Sequence, residues 1–188
     1  MNYAFLLLLA LSVIACSEAP QSTEKPAYFD VAGYVTSQIK ILSEQKPSVA
    51  KRLQMRGKVE QQTSRAINWS RELELFMQAD INKPALRGSY AIAHPDSLTY
   101  RYTLKPTEKN LAVRSLTVKL DSITRKPLRI EAVLVSENSL YTAEKQILLE
   151  SGPKKGNNWG VTSYHLSGFQ HLSISDKNTF DVKGTISR

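Results

Sequence analysis

Along residues 98–105 apolar and polar side chains alternate without exception. Leu98, Tyr100, Tyr102 and Leu104 fall on one parity, and Thr99, Arg101, Thr103 and Lys105 on the other. Period-two alternation of this kind predicts an antiparallel strand with one buried face and one wet face. The same pattern sets Leu116, Val118 and Leu120 against Thr117, Lys119 and Asp121, and Phe180, Val182 and Ile186 against Thr179, Asp181 and Lys183. Over residues 51–61, Leu53, Met55 and Val59 oppose Arg52, Gln54, Arg56, Lys58 and Glu60, which reads as one further strand. Strands also fit residues 86–93, 128–135, 140–149 and 161–172. The apolar parity switches between Val113 and Leu116, which predicts a bulge or a bend near Arg114-Ser115.

Two stretches follow the helical period instead. Tyr28, Val31, Val35, Ile39 and Leu42 recur at steps of three and four, predicting an amphipathic helix over residues 28–45 that Pro47 stops. A second helix is predicted over residues 68–80. Asn68 can cap it, Glu72 and Glu74 lie early where the helix dipole favours them, and Trp69, Leu73 and Phe76 share a face. Turn residues separate the strands at 94–97, 105–107, 121–127, 136–139 and 151–158. No internal repeat and no domain boundary follows residue 27. The expected fold is a single α+β domain over residues 28–188: an open, half-barrel-like antiparallel sheet of about eight strands with two covering helices.

Residues 5–15, FLLLLALSVIA, form a different pattern, an apolar run of eleven residues broken only by Ser12. A membrane-spanning helix needs about 20 apolar residues, so the run suits the hydrophobic region of a signal peptide. The end of the run with the next residue, Val13-Ile14-Ala15-Cys16, resembles a bacterial lipobox. That resemblance implies cleavage after Ala15, a signal peptide of residues 1–15, and acylation of Cys16, the only cysteine in the chain. Several acyl chains, each buried CH₂ contributing about 0.8 kcal/mol, would anchor the protein stably to a membrane. Residues 16–27 then read as the acylated cysteine and a flexible tether, with prolines and no β-branched aliphatic residue. Ten tether residues reach at most about 35 Å. In the sorting pattern of the lipoproteins it resembles, Ser17 after the cysteine implies outer-membrane delivery, with the domain expected to face the periplasm and the cell surface as the alternative.

Charge narrows the choice of partners only slightly. The chain carries 25 Lys and Arg against 17 Asp and Glu, and the net charge is +8. Such a surface favours anions, lipid headgroups among them, without specifying a fold. Nucleic acid is not expected. The polar strand faces carry Arg52, Arg56, Lys58 and Arg101 with no interleaved aromatic rings for base stacking, since Tyr100 and Tyr102 fall on the apolar parity.

No catalytic motif is present. The chain lacks G-x-S-x-G, a Walker loop, H-E-x-x-H and paired-cysteine metal spacing. His165 and His171 lie six residues apart on an extended strand, about 20 Å, too far to share one metal ion. His94-Pro95-Asp96-Ser97 has triad ingredients but the sequence of a turn. Glu72 and Glu74 point to different helix faces. No catalytic residue, metal site or cofactor is therefore expected, and the chain is read as a non-enzyme. Lys154, Lys155 and Trp159 stand together in the longest polar loop and are the candidate membrane-contacting residues, an indole being amphipathic.

The segment Leu116-Thr-Val-Lys-Leu-Asp121 followed by Thr124-Arg-Lys-Pro-Leu-Arg-Ile130 is similar to the strand, proline turn and strand of the LolA/LolB-type periplasmic carriers. That resemblance, with helix first and strands after, implies a sheet whose apolar face holds acyl chains beneath helices. Two functional expectations follow. One is a non-catalytic module that binds a hydrophobic ligand such as a lipid or acyl chain. The other is a structural or adaptor lipoprotein, its helices filling the same face, that works through protein contacts in an envelope complex. A cavity above about 300 Å³ between sheet and helices would mark the first.

Overall fold

Residues 26–154, 158–174 and 176–187 are described by the computed structural model of the chain. The first helix, α1 (Val31–Gln45), begins where the Asp30 carboxylate accepts a hydrogen bond from the Gly33 amide at 2.7 Å. That bond satisfies one of the amides a helix start leaves open. α1 ends at Lys46, in the left-handed conformation with φ 45°, whose amide closes on the Leu42 carbonyl at 2.9 Å. The buried stripe Val31, Val35, Gln38, Leu42 is the face that the three-and-four spacing selects.

Residues 51–61 do not form one strand. They divide into a hairpin of β1 (Val49–Met55) and β2 (Lys58–Ser64), paired from Val49↔Ser64 to Met55↔Lys58. Arg56 and Gly57 turn the chain with φ of 50° and 78°, the two positive values a tight hairpin of primed type uses. The reversal puts Glu60 opposite Leu53 and Val59 opposite Gln54, so Val59 leaves the face of Leu53 and Met55 on which a continuous strand would place it. This hairpin raises the strand number from about eight to nine among the described residues.

The second predicted helix is likewise two pieces, α2 (Trp69–Glu72) and α3 (Glu74–Gln78), so the described residues hold three α-helices where two are expected. They are separated at Leu73, whose φ and ψ are −102° and 9°. Asn68 caps α2 by accepting from the Arg71 amide at 3.1 Å. With the break, Trp69, Leu73, Phe76, Ala79 and Ile81 are all buried in succession. A 3-10 turn, Pro84–Leu86, then leads to the far edge of the sheet, where regular pairing begins only at Tyr90.

From there the chain runs as a meander: β3 (Tyr90–Asp96), β4 (Thr99–Leu104), β5 (Val113–Leu120), β6 (Pro127–Glu137), β7 (Tyr141–Lys154), β8 (Asn158–Leu172) and β9 (Asn178–Ile186). β9 pairs back onto β1, giving the order β2-β1-β9-β8-β7-β6-β5-β4-β3, antiparallel throughout and not closed into a barrel. The register shift between Val113 and Ser115 is the bulge that the parity switch predicted. β7 and β8 extend into the polar stretch, so the predicted long loop there is a hairpin end with Lys154 paired to Asn158.

The helices pack on one face of this sheet. Val31, Val35 and Leu42 of α1, with Trp69, Leu73, Phe76, Ala79 and Ile81, meet Leu116, Val118, Ile130, Leu149, Val161 and Tyr164 of the strands in one core. No helix among the described residues is long and apolar enough to cross a membrane.

Candidate functional site

The helix-side face of the sheet is only partly covered. Following the register across it, Tyr102, Leu116, Ala132 and Ile147 are each at most 3% exposed. The same row continues through Leu166, Val182 and Leu53, which are half-buried, to exposed Glu60. One row further along the strands, buried Val113 and Leu134 give way to half-buried Lys145, Gly168 and Phe180, and then to Met55 at 49% exposure. An open strip of Leu53, Met55, Leu166, Phe180 and Val182 therefore lies beside a closed core.

Under the helices the core is filled. Val31, Val35, Val49, Leu73, Phe76, Ala79, Ile81, Leu116, Val118 and Val161 have no accessible surface. A cavity wide enough for an acyl chain would leave surface on such walls, so these residues enclose none. The accessible space is instead a cleft of about 430 Å³ on the open side, lined by Lys51, Leu53, Glu60, Gln61, Gln62 and Val182. Leu53 and Val182 are its apolar lining residues, and the other four are polar.

Glu72 marks the border between the filled and the open parts. Its carboxylate accepts a hydrogen bond from Lys51 Nζ at 2.6 Å and another from the Tyr164 hydroxyl. Both partners come from strands, β1 and β8, so α2 is clamped to the sheet at this point. Burial, followed by the Glu72 carboxylate beside it, pushes the Tyr164 phenol well above its ordinary range. The Tyr164 ring also meets Phe76 edge-on, with centroids 6.5 Å apart. The sequence offers a helix-dipole reason for Glu72, and the structure adds the clamp.

The opposite face of the sheet carries a polar array. Arg129 is paired with Glu131 and, at 3.1 Å, with Glu150. Ser163 donates to Glu150 at 2.8 Å, and His165 Nε2 lies 2.7 Å from Asp181 Oδ2. These groups flank a shallow groove of about 310 Å³ over Val133 and Leu148. Ion pairs as exposed as these contribute about 0–1 kcal/mol each, and each charge in the array answers another.

Histidines do not converge. His94 packs edge-on against Tyr100, with centroids 4.8 Å apart, His165 pairs with Asp181, and His171 is exposed. Asp96 does not join a triad; it accepts from the Leu98 amide at 2.8 Å and from Thr99 Oγ1 at 2.9 Å within its turn. No group of three His, Cys, Asp or Glu among the described residues is placed to hold a metal ion.

Of the residues singled out in the sequence, Ala15, Cys16 and Lys155 lie outside the described residues. Trp159 lies within β8, half-buried, and its indole N–H donates to the Pro127 carbonyl at 2.9 Å. Lys154 is half-buried at the end of β7. Leu53, Met55, Phe180 and Val182 have the expected apolar parity, but the alternation alone does not tell which apolar positions the helices leave open. Comparisons with known protein families, with curated proteins and with solved structures return no match to this chain.

Proposed function

We propose that this chain is a membrane-anchored lipoprotein of the bacterial envelope, held in the outer membrane through acylated Cys16 and facing the periplasm. Its folded domain is a non-catalytic binding module for a hydrophobic ligand, a lipid or an acyl chain. The observation that supports the binding role is the open strip of Leu53, Met55, Leu166, Phe180 and Val182 on the helix-side apolar face, beside the covered core. Because the core beneath the helices is filled, the ligand lies along β8, β9 and β1 rather than within the fold. Each methylene it buries there contributes about 0.8 kcal/mol.

The test uses acyl-free protein, with Cys16 replaced by Ser and the export signal exchanged, so that the anchor does not contribute lipid. Mass spectrometry of the purified protein should find co-purifying lipid, and Val182→Asp should remove it while leaving the unfolding midpoint within a few degrees. Lipid-free wild type would refute the binding role. The anchor is tested separately: Cys16→Ser in the native chain should abolish lipid labelling and membrane fractionation, and retained fractionation would refute the anchor.

The adaptor reading has one observation in its favour. β2 is an edge strand whose residues are exposed along almost its whole length, with no proline or bulge to block pairing. Natural edges are usually protected by such devices, and the other edge, β3, has both a register shift and Pro95. If a protein partner adds a strand there, Thr63→Pro, on β2 outside the cleft lining, should abolish its capture without changing lipid content.

A further inference from the structure

The end of the domain formed by the C-terminus of α1, the start of β1 and the β7–β8 hairpin contains a second cleft, of about 390 Å³. Three cations line it, Lys46, Arg65 and Lys154, together with Ser48, Asn158 and Ser187, and no carboxylate is among its lining residues. The three cations of the cleft have no carboxylate partner among the described residues, as is also true of Lys58 and Lys105 elsewhere on the surface.

Lys154 is the informative member. Its stem lies over Gly160, where a β-carbon would stand 3.4 Å from Cδ and 3.5 Å from Cε. The missing side chain at Gly160 thus seats the lysine against the sheet. Burial holds the Lys154 ammonium below its ordinary range, with no counter-charge to offset the lost hydration. A half-buried, unpaired ammonium is an unfavourable arrangement, and an anion from outside the chain would complete it. Ser187 adds a donor. Its Oγ accepts from the Ser48 amide at 3.0 Å, which leaves its own proton free to point into the cleft.

We infer that this cleft binds a phosphate group, either free or as part of a lipid headgroup. A phosphomonoester carries a charge of about −1.5 to −2 at neutral pH with three strong acceptor oxygens, which suits three cations and a hydroxyl. The C-terminus of α1 contributes about −0.5 of an elementary charge nearby, too little to cancel three formal positive charges. The site lies away from the apolar strip and does not depend on the ligand proposed for it or on Cys16.

The experiment uses the full chain in a neutral detergent, titrated with sodium phosphate against sodium chloride at equal ionic strength. Calorimetry and the unfolding midpoint are the readouts. Phosphate should bind and raise the midpoint where chloride does not. Lys154→Met keeps the stem on Gly160 and removes the charge, and should weaken binding about tenfold or more, the usual effect of losing a charge-assisted contact. Arg65→Gln, at an exposed position that the fold does not need, should do the same, and Lys58→Met on the β2 edge should change nothing. A second arm replaces phosphate by phosphatidic acid, whose headgroup is a phosphomonoester, doped into the micelles. A response in that arm alone, lost in Lys154→Met, assigns the site to a lipid headgroup. No response in either arm, or a response unchanged in both Lys154→Met and Arg65→Gln, overturns the inference.

Discussion

Gly184 of β9 sits under the ring of Tyr164, and replacing it with alanine tests how tightly the clamp region is packed. A β-carbon built there falls within 3.0 Å of Tyr164 Cζ, Oη and Cε1, closer than β-carbons approach any heavy atom. The ring has nowhere to go, being 2% exposed with fully buried Phe76 on its edge. If the ring stays and the strands shift, the overpacking costs about 1–3 kcal/mol. If it leaves, the loss includes its burial, about 1.5–3 kcal/mol, and its edge contact with Phe76, about 0.5–1.5 kcal/mol. Its hydrogen bond to Glu72 is lost as well. Against this, exchanging glycine for alanine restricts the unfolded chain and returns about 0.4–1 kcal/mol. The expected net loss is about 2–4 kcal/mol, a fall in unfolding midpoint of about 5–15 °C for a chain of this length. Gly152→Ala is the matched control, because its β-carbon would meet only Thr162 Cγ2, at 3.9 Å. It should be neutral or slightly stabilising. Chemical denaturation of Gly184→Ala, Tyr164→Ala and the double variant completes the cycle. Without the ring the added methyl fits, so the double variant should be at least about 1 kcal/mol more stable than the two single losses summed. Equal stabilities for Gly184→Ala and Gly152→Ala, or strict additivity in the cycle, would refute the reasoning.

Other expectations rest on separate features. Asn82 ties the entry of α1 to the exit of α3: its Oδ1 accepts from the Tyr28 amide at 3.0 Å, and its Nδ2 donates to the Tyr28 and Phe29 carbonyls at 3.2 and 2.9 Å. Asn82→Ala should cost about 2–3 kcal/mol, read by urea denaturation, since each lost bond contributes about 1 kcal/mol. Gly57→Ala meets no atom within 4 Å but must hold φ at 78°, so it should cost about 1–2 kcal/mol by the same assay, and Gly57→Asn less. Burial pushes the Tyr34 phenol, hydrogen-bonded to Ser151 at 2.5 Å, up to about 12, and burial pushes Tyr90 up to about 12. The folded values lie above the unfolded value of about 10. The stability these phenols contribute is therefore intact below pH 10 and lost as pH rises from 10 to 12. Denaturation midpoints measured across that window should fall, and Tyr34→Phe should shallow the fall.

The clearest signals in the chain were local ones. Alternation at residues 98–105 and 116–121 located β4 and β5, and the parity switch located the bulge at residues 113–115, because a pleated strand imposes period two on any sequence with one buried face. Three-and-four spacing located α1 for the equivalent reason. The Arg56-Gly57 reversal went unread although X-Gly amid an alternating run is a hairpin signal, because apolar parity happens to continue from Met55 to Val59. The break at Leu73 gave no signal of its own: Trp69, Leu73 and Phe76 share a helical face whether or not the helix is continuous.

Of the candidate sites, the resemblance at Val13-Ile14-Ala15-Cys16 rests on a contiguous stretch outside the described residues, and the sequence supplied the apolar parity of Leu53, Met55, Phe180 and Val182. It could not place Lys46, Arg65 and Lys154 around one cleft, since they come from a helix end, a strand exit and a hairpin far apart in the chain. Nor could it pair Gly184 with Tyr164 or Glu72 with Lys51. By itself the sequence determined most apolar faces, the approximate place of most elements and that the class is α+β, all consequences of short-range backbone geometry. Only the tertiary structure decided that the helices fill the core under α1 and leave β8, β9 and β1 open. That division depends on the register of nine strands and on where α2 is clamped, and both are set by contacts between residues distant in sequence.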